Sequence, residues 1–123
     1  MKAKILIVED DMAIQSMYKM KLNHEGYTVV VANDGAIGLN KALEEKPDLI
    51  LLDLKMPNMD GEEMLIKLRE DKWGEHASVV ILTNISRDEA PQTLNSLGVM
   101  HYLVKALYTP KQVVQTVEHV LAR

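Results

Sequence analysis

Acidic residues follow two apolar segments of the sequence. Glu9 and Asp10 come directly after residues 5–8, and Asp53 comes directly after residues 49–52. Carboxylates that lie a few ångströms apart repel one another, so a cluster of them needs a nearby cation. Mg²⁺ suits such a cluster, because it prefers a few carboxylates together with water and phosphate oxygens. An aspartate can also attack phosphorus and form an acyl phosphate.

A hydroxyl group and an amine follow two further apolar segments. Thr83 ends the segment 79–83, and Lys105 follows the segment 99–104. Phosphoryl transfer mainly requires that the equatorial oxygens of the phosphoryl group are positioned and neutralised. Mg²⁺, the Lys105 ammonium and the Thr83 hydroxyl would each serve one of these oxygens. The residue types therefore predict phosphoryl chemistry if the fold brings the four segment ends together.

Composition excludes several other functions. The length of 123 residues is typical of one domain, which we place at residues 1–123. The absence of cysteine excludes a disulfide scaffold, a thiolate zinc site and a cysteine nucleophile. A net charge of −4 offers no surface for direct binding of nucleic acid. No apolar segment approaches the ~20 residues of a membrane span, so we expect a cytoplasmic protein without membrane insertion.

Five apolar segments alternate with amphipathic ones. Most of the apolar segments lack in–out alternation, which is typical of strands buried on both faces of a parallel sheet. The apolar stripes of the amphipathic segments predict five helices. The expected strands are residues 5–8, 28–32, 49–52, 79–83 and 99–104.

The fourth predicted helix has the shortest apolar stripe. Leu94 and Leu97 form this stripe, and Gly98 can end the helix. Pro91 is tolerated only in the first turn of a helix, because it has no N–H group. We therefore expect this helix to begin near Asp88.

The alternation of strands and helices predicts a doubly wound, flavodoxin-like α/β fold with right-handed crossovers. Five parallel strands of this kind commonly take the order 2-1-3-4-5, with the ligand crevice at the carboxyl ends of strands 1 and 3. The acidic residues, Thr83 and Lys105 all stand at or directly after the ends of strands, so we expect them at this carboxyl edge of the sheet. Strand 2 ends in Ala32 and Asn33, and we expect no comparable contribution from it.

The order and spacing of the motifs resemble those of the receiver domain of two-component response regulators, including chemotaxis regulators. The resemblance covers essentially the whole chain and rests on residues 8–11, 51–61, 80–83 and 102–105. It implies a signalling phosphoacceptor served by a histidine kinase or a histidine phosphotransfer protein. It implies no enzyme beyond weak self-catalysed phosphorylation and dephosphorylation.

The resemblance implies a set of metal ligands. Asp53 would be both the phosphoacceptor and a ligand of Mg²⁺, for which Mn²⁺ is a possible substitute. Asp10 would bind the ion directly, Glu9 would act through a bound water, and the main-chain carbonyl of Lys55 would complete the protein's share. Asp11 is interpreted mainly as the N-cap of the first helix.

The resemblance also implies a switch. Thr83 and Lys105 would contact the phosphoryl group, and Tyr102 would be the aromatic switch residue coupled to Thr83. The two switch residues would carry the change to a face formed by the fourth helix, the fifth strand and the fifth helix. A downstream output protein would bind that face.

Two residues depart from the family pattern. Ala106 follows Lys105, where proline is usual and often preceded by a cis peptide bond. A cis bond before a non-proline residue costs roughly 3–4 kcal/mol, so we expect a trans bond here. Asn84 follows Thr83 in place of a small residue, and together with Lys55 it stands where the family tunes its dephosphorylation rate.

The sequence leaves two questions about the role of this chain open. The chain would be either a stand-alone receiver or the N-terminal receiver of a longer regulator whose DNA-binding or enzymatic output domain is absent. A non-phosphorylated pseudo-receiver would be a pure binding module, although none of the expected acids is missing. The acidic turn 9–11 would repel the pyrophosphate of a dinucleotide. Lys55 stands where a phosphatase of the haloacid dehalogenase type has a second aspartate.

Overall fold

The computed structural model describes residues 3–122; Met1, Lys2 and Arg123 of the predicted domain 1–123 lie outside the described residues. Five parallel strands form one sheet in the order β2-β1-β3-β4-β5, which confirms the predicted topology. The strands are β1 (Lys4–Val8), β2 (Thr28–Ala32), β3 (Leu49–Leu52), β4 (Val79–Thr83) and β5 (His101–Val104).

The α-helices connect the strands and begin at side-chain caps. In the described chain they are α1 (Met12–His24), α2 (Gly35–Glu45), α3 (Gly61–Glu70) and α4 (Pro110–Leu121). The Asp11 carboxylate accepts hydrogen bonds from the main-chain N–H groups of Ala13 and Ile14 at 3.0 and 3.1 Å, which confirms its role as an N-cap. Thr109 and Gln112 form a capping box at the start of α4.

The prediction of a fourth helix near residues 88–98, and hence of five helices, is wrong. Two 3-10 turns, Arg87–Glu89 and Gln92–Ser96, stand in its place. Pro91 disfavours helical backbone at the preceding residue, and Ala90 accordingly adopts an extended conformation with φ −67° and ψ 146°. The segment is therefore broken between Ala90 and Pro91, and the predicted fifth helix is α4.

Successive strand residues point to opposite faces of the sheet. Because apolar residues lie on both faces, helices cover both. Leu6 and Val8 of β1 belong to a core that also contains Met64 and Leu65 of α3. The neighbouring Ile7 belongs to a second core, which includes residues of α1 and α4. The doubly wound arrangement places α2 and α3 on one face and α1 and α4 on the other.

Residues 9–11 connect β1 to α1, and residues 53–60 connect β3 to α3. A 3-10 turn, Lys105–Leu107, follows β5, and the bond between Lys105 and Ala106 is trans as expected. Among residues 3–122, no helix combines the length and the apolarity needed to cross a bilayer.

Candidate functional site

The register of the sheet brings the two acidic strand ends together. Val8 is paired with Leu52, so Glu9 and Asp53 leave neighbouring strands at the same level. The main-chain N–H of Asp53 donates to the carbonyl of Val8 at 3.0 Å, which continues the ladder by one residue. Both acidic side chains are largely withdrawn from solvent, with 5% and 8% of their side-chain surface exposed.

Lys105 joins these two carboxylates. It follows Val104, which is paired with Thr83 at the end of β4. Lys105 Nζ lies 2.6 Å from Glu9 Oε1 and 3.1 Å from Asp53 Oδ2. One partly buried ammonium therefore bridges the ends of β1 and β3.

The pKa values of Glu9 and Lys105 both lie above their ordinary values, for different reasons. Burial raises the pKa of Glu9, and the hydrogen bonds from Lys105 and from the Asp11 N–H offset this effect only in part. Burial on its own would lower the pKa of Lys105, but the hydrogen bond to Glu9 and the charge of Asp53 outweigh it and raise that pKa. Lys105 is therefore a cation at neutral pH.

Three carboxylates converge beside the bridge. Glu9, Asp10 and Asp53 each offer an oxygen within 4.8 Å of the other two. Asp10 is exposed while the other two are buried, so the cluster opens to solvent on one side. A donor set made only of oxygens, with an open side for water, fits a hard divalent cation such as Mg²⁺.

The segment after β3 holds the Asp53 main chain in place. Asp53 Oδ1 accepts a hydrogen bond from the Leu54 N–H at 2.7 Å. The Gly61 N–H donates to the Leu54 carbonyl at 2.8 Å. A Cβ atom on Gly61 would lie only 2.2 Å from the Asp53 carbonyl oxygen. The first residue of α3 therefore packs directly against the main chain of this aspartate. Lys55 lies in the segment between these contacts.

Asp34 and Asn58, which were not predicted from the sequence, fix the part of this segment that precedes α3. Asn58 adopts the left-handed conformation with φ 67° and donates from Nδ2 to Asp34 Oδ2 at 2.8 Å. Asp34 is the N-cap of α2, and the hydrogen bond from the Ile37 N–H, with that from Asn58, lowers the pKa of its carboxyl group. The Asp34–Gly35 pair after β2 is a helix-start signal that pointed to this cap.

A cleft of about 250 Å³ lies beside the acidic cluster. Asp10, Lys55 and Thr83 line it, as does Asn84. Thr83 is almost fully buried, with 1% of its surface exposed, and its Oγ1 lies 3.4 Å from the Ile85 N–H nitrogen. All the residues predicted for the metal and phosphoryl sites thus border one small concavity.

Tyr102 lies apart from this cleft but is connected to it. Its hydroxyl donates to the Ile85 carbonyl at 2.7 Å, and the Arg87 guanidinium lies 5.7 Å from the centre of its ring. Burial raises the pKa of the Tyr102 hydroxyl. Thr83 and Tyr102 both contact the main chain of Ile85, which provides a direct route between them.

Curated proteins similar to this chain include two transcriptional regulatory proteins of Bacillus subtilis. The alkaline phosphatase synthesis transcriptional regulatory protein PhoP of Bacillus subtilis is 35% identical over 124 residues, covering 100% of this chain and 50% of PhoP. The transcriptional regulatory protein ResD of the same organism is 36% identical over 123 residues, covering 99% of this chain and 49% of ResD. The chain spans about half the length of these relatives.

Solved structures and a family model agree with these relatives. The chemotaxis protein CheY4 of Vibrio cholerae superposes with a TM-score of 0.89 at 31% identity, covering 98% of this chain and 100% of CheY4. The response regulator receiver domain model matches residues 5–118, which includes every strand end of the acidic site. This chain therefore belongs to the receiver domain family of two-component response regulators.

Proposed function

We propose that the chain is a phosphoacceptor that receives a phosphoryl group on Asp53. The observation that carries this proposal is the position of the Asp53 carboxylate between the Lys105 ammonium and the acidic cluster. The donor would be the phosphohistidine of a histidine kinase or of a histidine phosphotransfer protein. The Asp53 carboxylate attacks phosphorus, the N–P bond of the donor breaks, and its electron pair stays on the imidazole.

The acidic cluster supplies the metal site of this reaction. Asp10 and Asp53 would hold Mg²⁺ directly, with the Lys55 carbonyl as a further ligand and Glu9 acting through a water; Mn²⁺ is a possible substitute. The bound cation neutralises charge on the transferring group. The composition of the cluster supports this assignment, because its oxygens lie within 4.8 Å of one another and the exposed Asp10 leaves access from solvent.

Lys105 and Thr83 would contact the other phosphoryl oxygens. Lys105 already touches Asp53 Oδ2, so it needs only a small movement to follow the charge that Asp53 acquires. Thr83 lies at the end of β4 and borders the same cleft. The same groups would allow weak self-catalysed phosphorylation and dephosphorylation, and the main role is signalling.

Phosphorylation would switch a face for a downstream output protein. The added charge draws Thr83 toward the phosphoryl group, and its neighbour Ile85 transmits the movement to Tyr102. The face comprises the two turns between β4 and β5, β5 itself and α4. Tyr102 supports this role through its hydrogen bond to Ile85, which couples the face to the cleft.

Mass spectrometry of the intact protein tests the phosphoacceptor. Incubation with acetyl phosphate and MgCl₂ should add one base-labile phosphoryl group, and EDTA should prevent the addition. Asp53→Asn should abolish the adduct. Asp48→Asn, which changes an exposed aspartate before the same strand, is the matched control and should keep it.

Two outcomes would contradict the proposal. One is the absence of an adduct in the wild-type protein with MgCl₂ present. The other is an adduct that persists in Asp53→Asn, since the phosphoryl group would then be on a different residue.

A further inference from the structure

Gln15 is a buried polar residue of α1 that lies outside the acidic cluster. It is only 3% exposed. Its Nε2 lies 3.0 Å from the Glu9 carbonyl oxygen, 2.9 Å from Asn33 Oδ1 and 3.3 Å from the Ala32 carbonyl oxygen. The side-chain amide therefore ties together the carboxyl ends of β1 and β2.

The contact with Glu9 bears directly on Asp10. The Glu9 carbonyl belongs to the peptide group that joins Glu9 to Asp10, so a donor on this oxygen fixes the plane of that peptide. The next peptide group is fixed as well, because the Asp11 N–H donates to Glu9 Oε2 at 3.0 Å. Asp10 thus lies between two anchored peptide groups, and the first of them depends on Gln15.

Asp10 has little else to hold it. Its side chain is exposed, and within residues 3–122 its carboxylate accepts no hydrogen bond. A metal ligand in this position gains affinity when its main chain is already oriented, because binding then costs less conformational freedom. The two neighbouring peptide groups provide that orientation.

We propose that Gln15 is a positioning residue for divalent-cation binding, which holds the Asp10 carboxylate in place by fixing the Glu9–Asp10 peptide group. The inference rests on the proposed function, in which Asp10 is a metal ligand. Gln15 is uncharged, so its effect on the cation comes from geometry and not from added or removed charge. Partners that orient metal ligands typically change metal affinity by about 10- to 100-fold when they are lost.

The test is a titration with MgCl₂, followed by the amide chemical shifts of ¹⁵N-labelled protein. Gln15→Met keeps the length and the net charge of the side chain but removes the donor. We expect its dissociation constant for Mg²⁺ to be about 10-fold higher than that of the wild-type protein. The shifts should still centre on Asp10 and Asp53.

Leu22→Val is the matched control. Leu22 is fully buried on the same helix, so its truncation weakens the packing of α1 without altering the Glu9 carbonyl. The stability of both variants is measured by urea unfolding. The control should bind Mg²⁺ with the wild-type dissociation constant, which separates a positioning role from general loss of stability.

The outcomes distinguish this inference from the proposed function. A Gln15→Met protein that binds Mg²⁺ as tightly as the wild type would overturn the role of Gln15 and leave the metal site standing. A wild-type protein without Mg²⁺-induced shifts near Asp10 and Asp53 would overturn the metal site and this inference together.

A measurement on the wild-type protein keeps the inference testable if Gln15→Met does not fold. ¹⁵N relaxation should show the Gln15 side-chain amide to be as rigid as the backbone of β1. Gln115, which is exposed on α4, provides a mobile reference in the same spectrum. A Gln15 amide as mobile as that of Gln115 would overturn the proposal.

Discussion

Lys105 Nζ lies 2.6 Å from Glu9 Oε1, which joins two side chains that are 96 positions apart in the sequence. A contact this short between an ammonium and a carboxylate is a strong, charge-assisted hydrogen bond. Because Glu9 belongs to the acidic cluster, the ammonium of Lys105 neutralises carboxylates that a divalent cation would also neutralise. Lys105 and a metal ion bound at this cluster would therefore compete for the same negative charge.

The first prediction concerns the loss of this ammonium. Without metal, Lys105→Met should lower the free energy of unfolding by roughly 1–3 kcal/mol, because two largely buried carboxylates lose their cation. Its affinity for Mg²⁺ should be about tenfold higher, since a nearby positive charge has been removed. Urea unfolding in EDTA and in MgCl₂ measures both effects.

Lys111→Met is the control for this experiment. Lys111 is exposed on α4, and its replacement removes the same charge from the chain at a distance from the cluster. Equal Mg²⁺ affinities of the two variants would show that net charge, and not the bridge, determines the effect. An unchanged stability of Lys105→Met in EDTA would show that the bridge contributes nothing to folding.

The topology of the sheet was predictable from the sequence. The edge at which Glu9, Asp53 and Lys105 come together was predictable as well. Apolar segments of four to six residues without alternation are typical of buried parallel strands. The strand order then follows from a small set of allowed connections, and the parallel orientation brings Glu9, Asp53 and Lys105 to one edge. No side-chain detail was needed for this part.

Contacts that depend on side-chain geometry were not predictable. Lys105 was expected to serve the phosphoryl oxygens, and its bond to Glu9 follows only from the distance between two strand ends. Gln15 has the sequence signature of an ordinary polar helix residue, although the fold buries it against the ends of β1 and β2. The sequence also does not predict that Asn33 accepts a hydrogen bond from Gln15.

The missing helix between β4 and β5 has a local cause. The stripe of Leu94 and Leu97 favoured a helix, and the restriction that Pro91 places on Ala90 opposed it. The structure shows that the proline effect prevails, with only Leu94 of the two leucines buried. One short apolar stripe offers too little burial to overcome a break in the backbone.

The second prediction concerns Gly61 and the main chain of Asp53. Gly61→Ala should lower stability by roughly 1–3 kcal/mol, because the new methyl group would lie 2.2 Å from the Asp53 carbonyl oxygen. The displaced aspartate should also react more slowly with acetyl phosphate, by at least about tenfold. Urea unfolding and the rate of adduct formation provide the two measurements.

Gly98→Ala is the matched control for backbone strain. Gly98 has φ +68°, so alanine is strained there by about 1 kcal/mol, but the nearest atom to an added Cβ lies 3.8 Å away. This variant should be phosphorylated at the wild-type rate. A Gly61→Ala protein that reacts as fast as Gly98→Ala would show that the start of α3 does not position Asp53.

The third prediction is a pH dependence that arises from Asp34. Hydrogen bonds from the Ile37 N–H and from Asn58 lower the pKa of this carboxyl group in the folded protein. A lowered pKa means that the carboxylate stabilises the fold above the unfolded-state pKa of about 3.9, and that this contribution is lost as the pH falls through the folded-state value. Asp34→Asn should therefore be less stable than the wild type at neutral pH, and the difference should shrink in acid.

Urea unfolding at a series of pH values tests this dependence. Asparagine also caps helices, so the comparison isolates the charge from the shape of the cap. Asp88→Asn, in an exposed turn, is the control and should track the wild-type curve. A stability difference between Asp34→Asn and the wild type that stays constant with pH would rule out the carboxylate as its source.

The fourth prediction concerns the hydrogen bond between the Tyr102 hydroxyl and the Ile85 carbonyl. Tyr102→Phe should cost about 1 kcal/mol of stability, because a partly buried carbonyl loses its donor. Hydrogen exchange should become faster in the turn after β4, while adduct formation on Asp53 should keep its rate, since the hydroxyl lies outside the cleft. Tyr108→Phe, an exposed tyrosine after β5, should change neither property. A slower reaction of Asp53 in Tyr102→Phe would place Tyr102 in the phosphorylation chemistry itself, and unchanged exchange would mean that Ile85 is held without it.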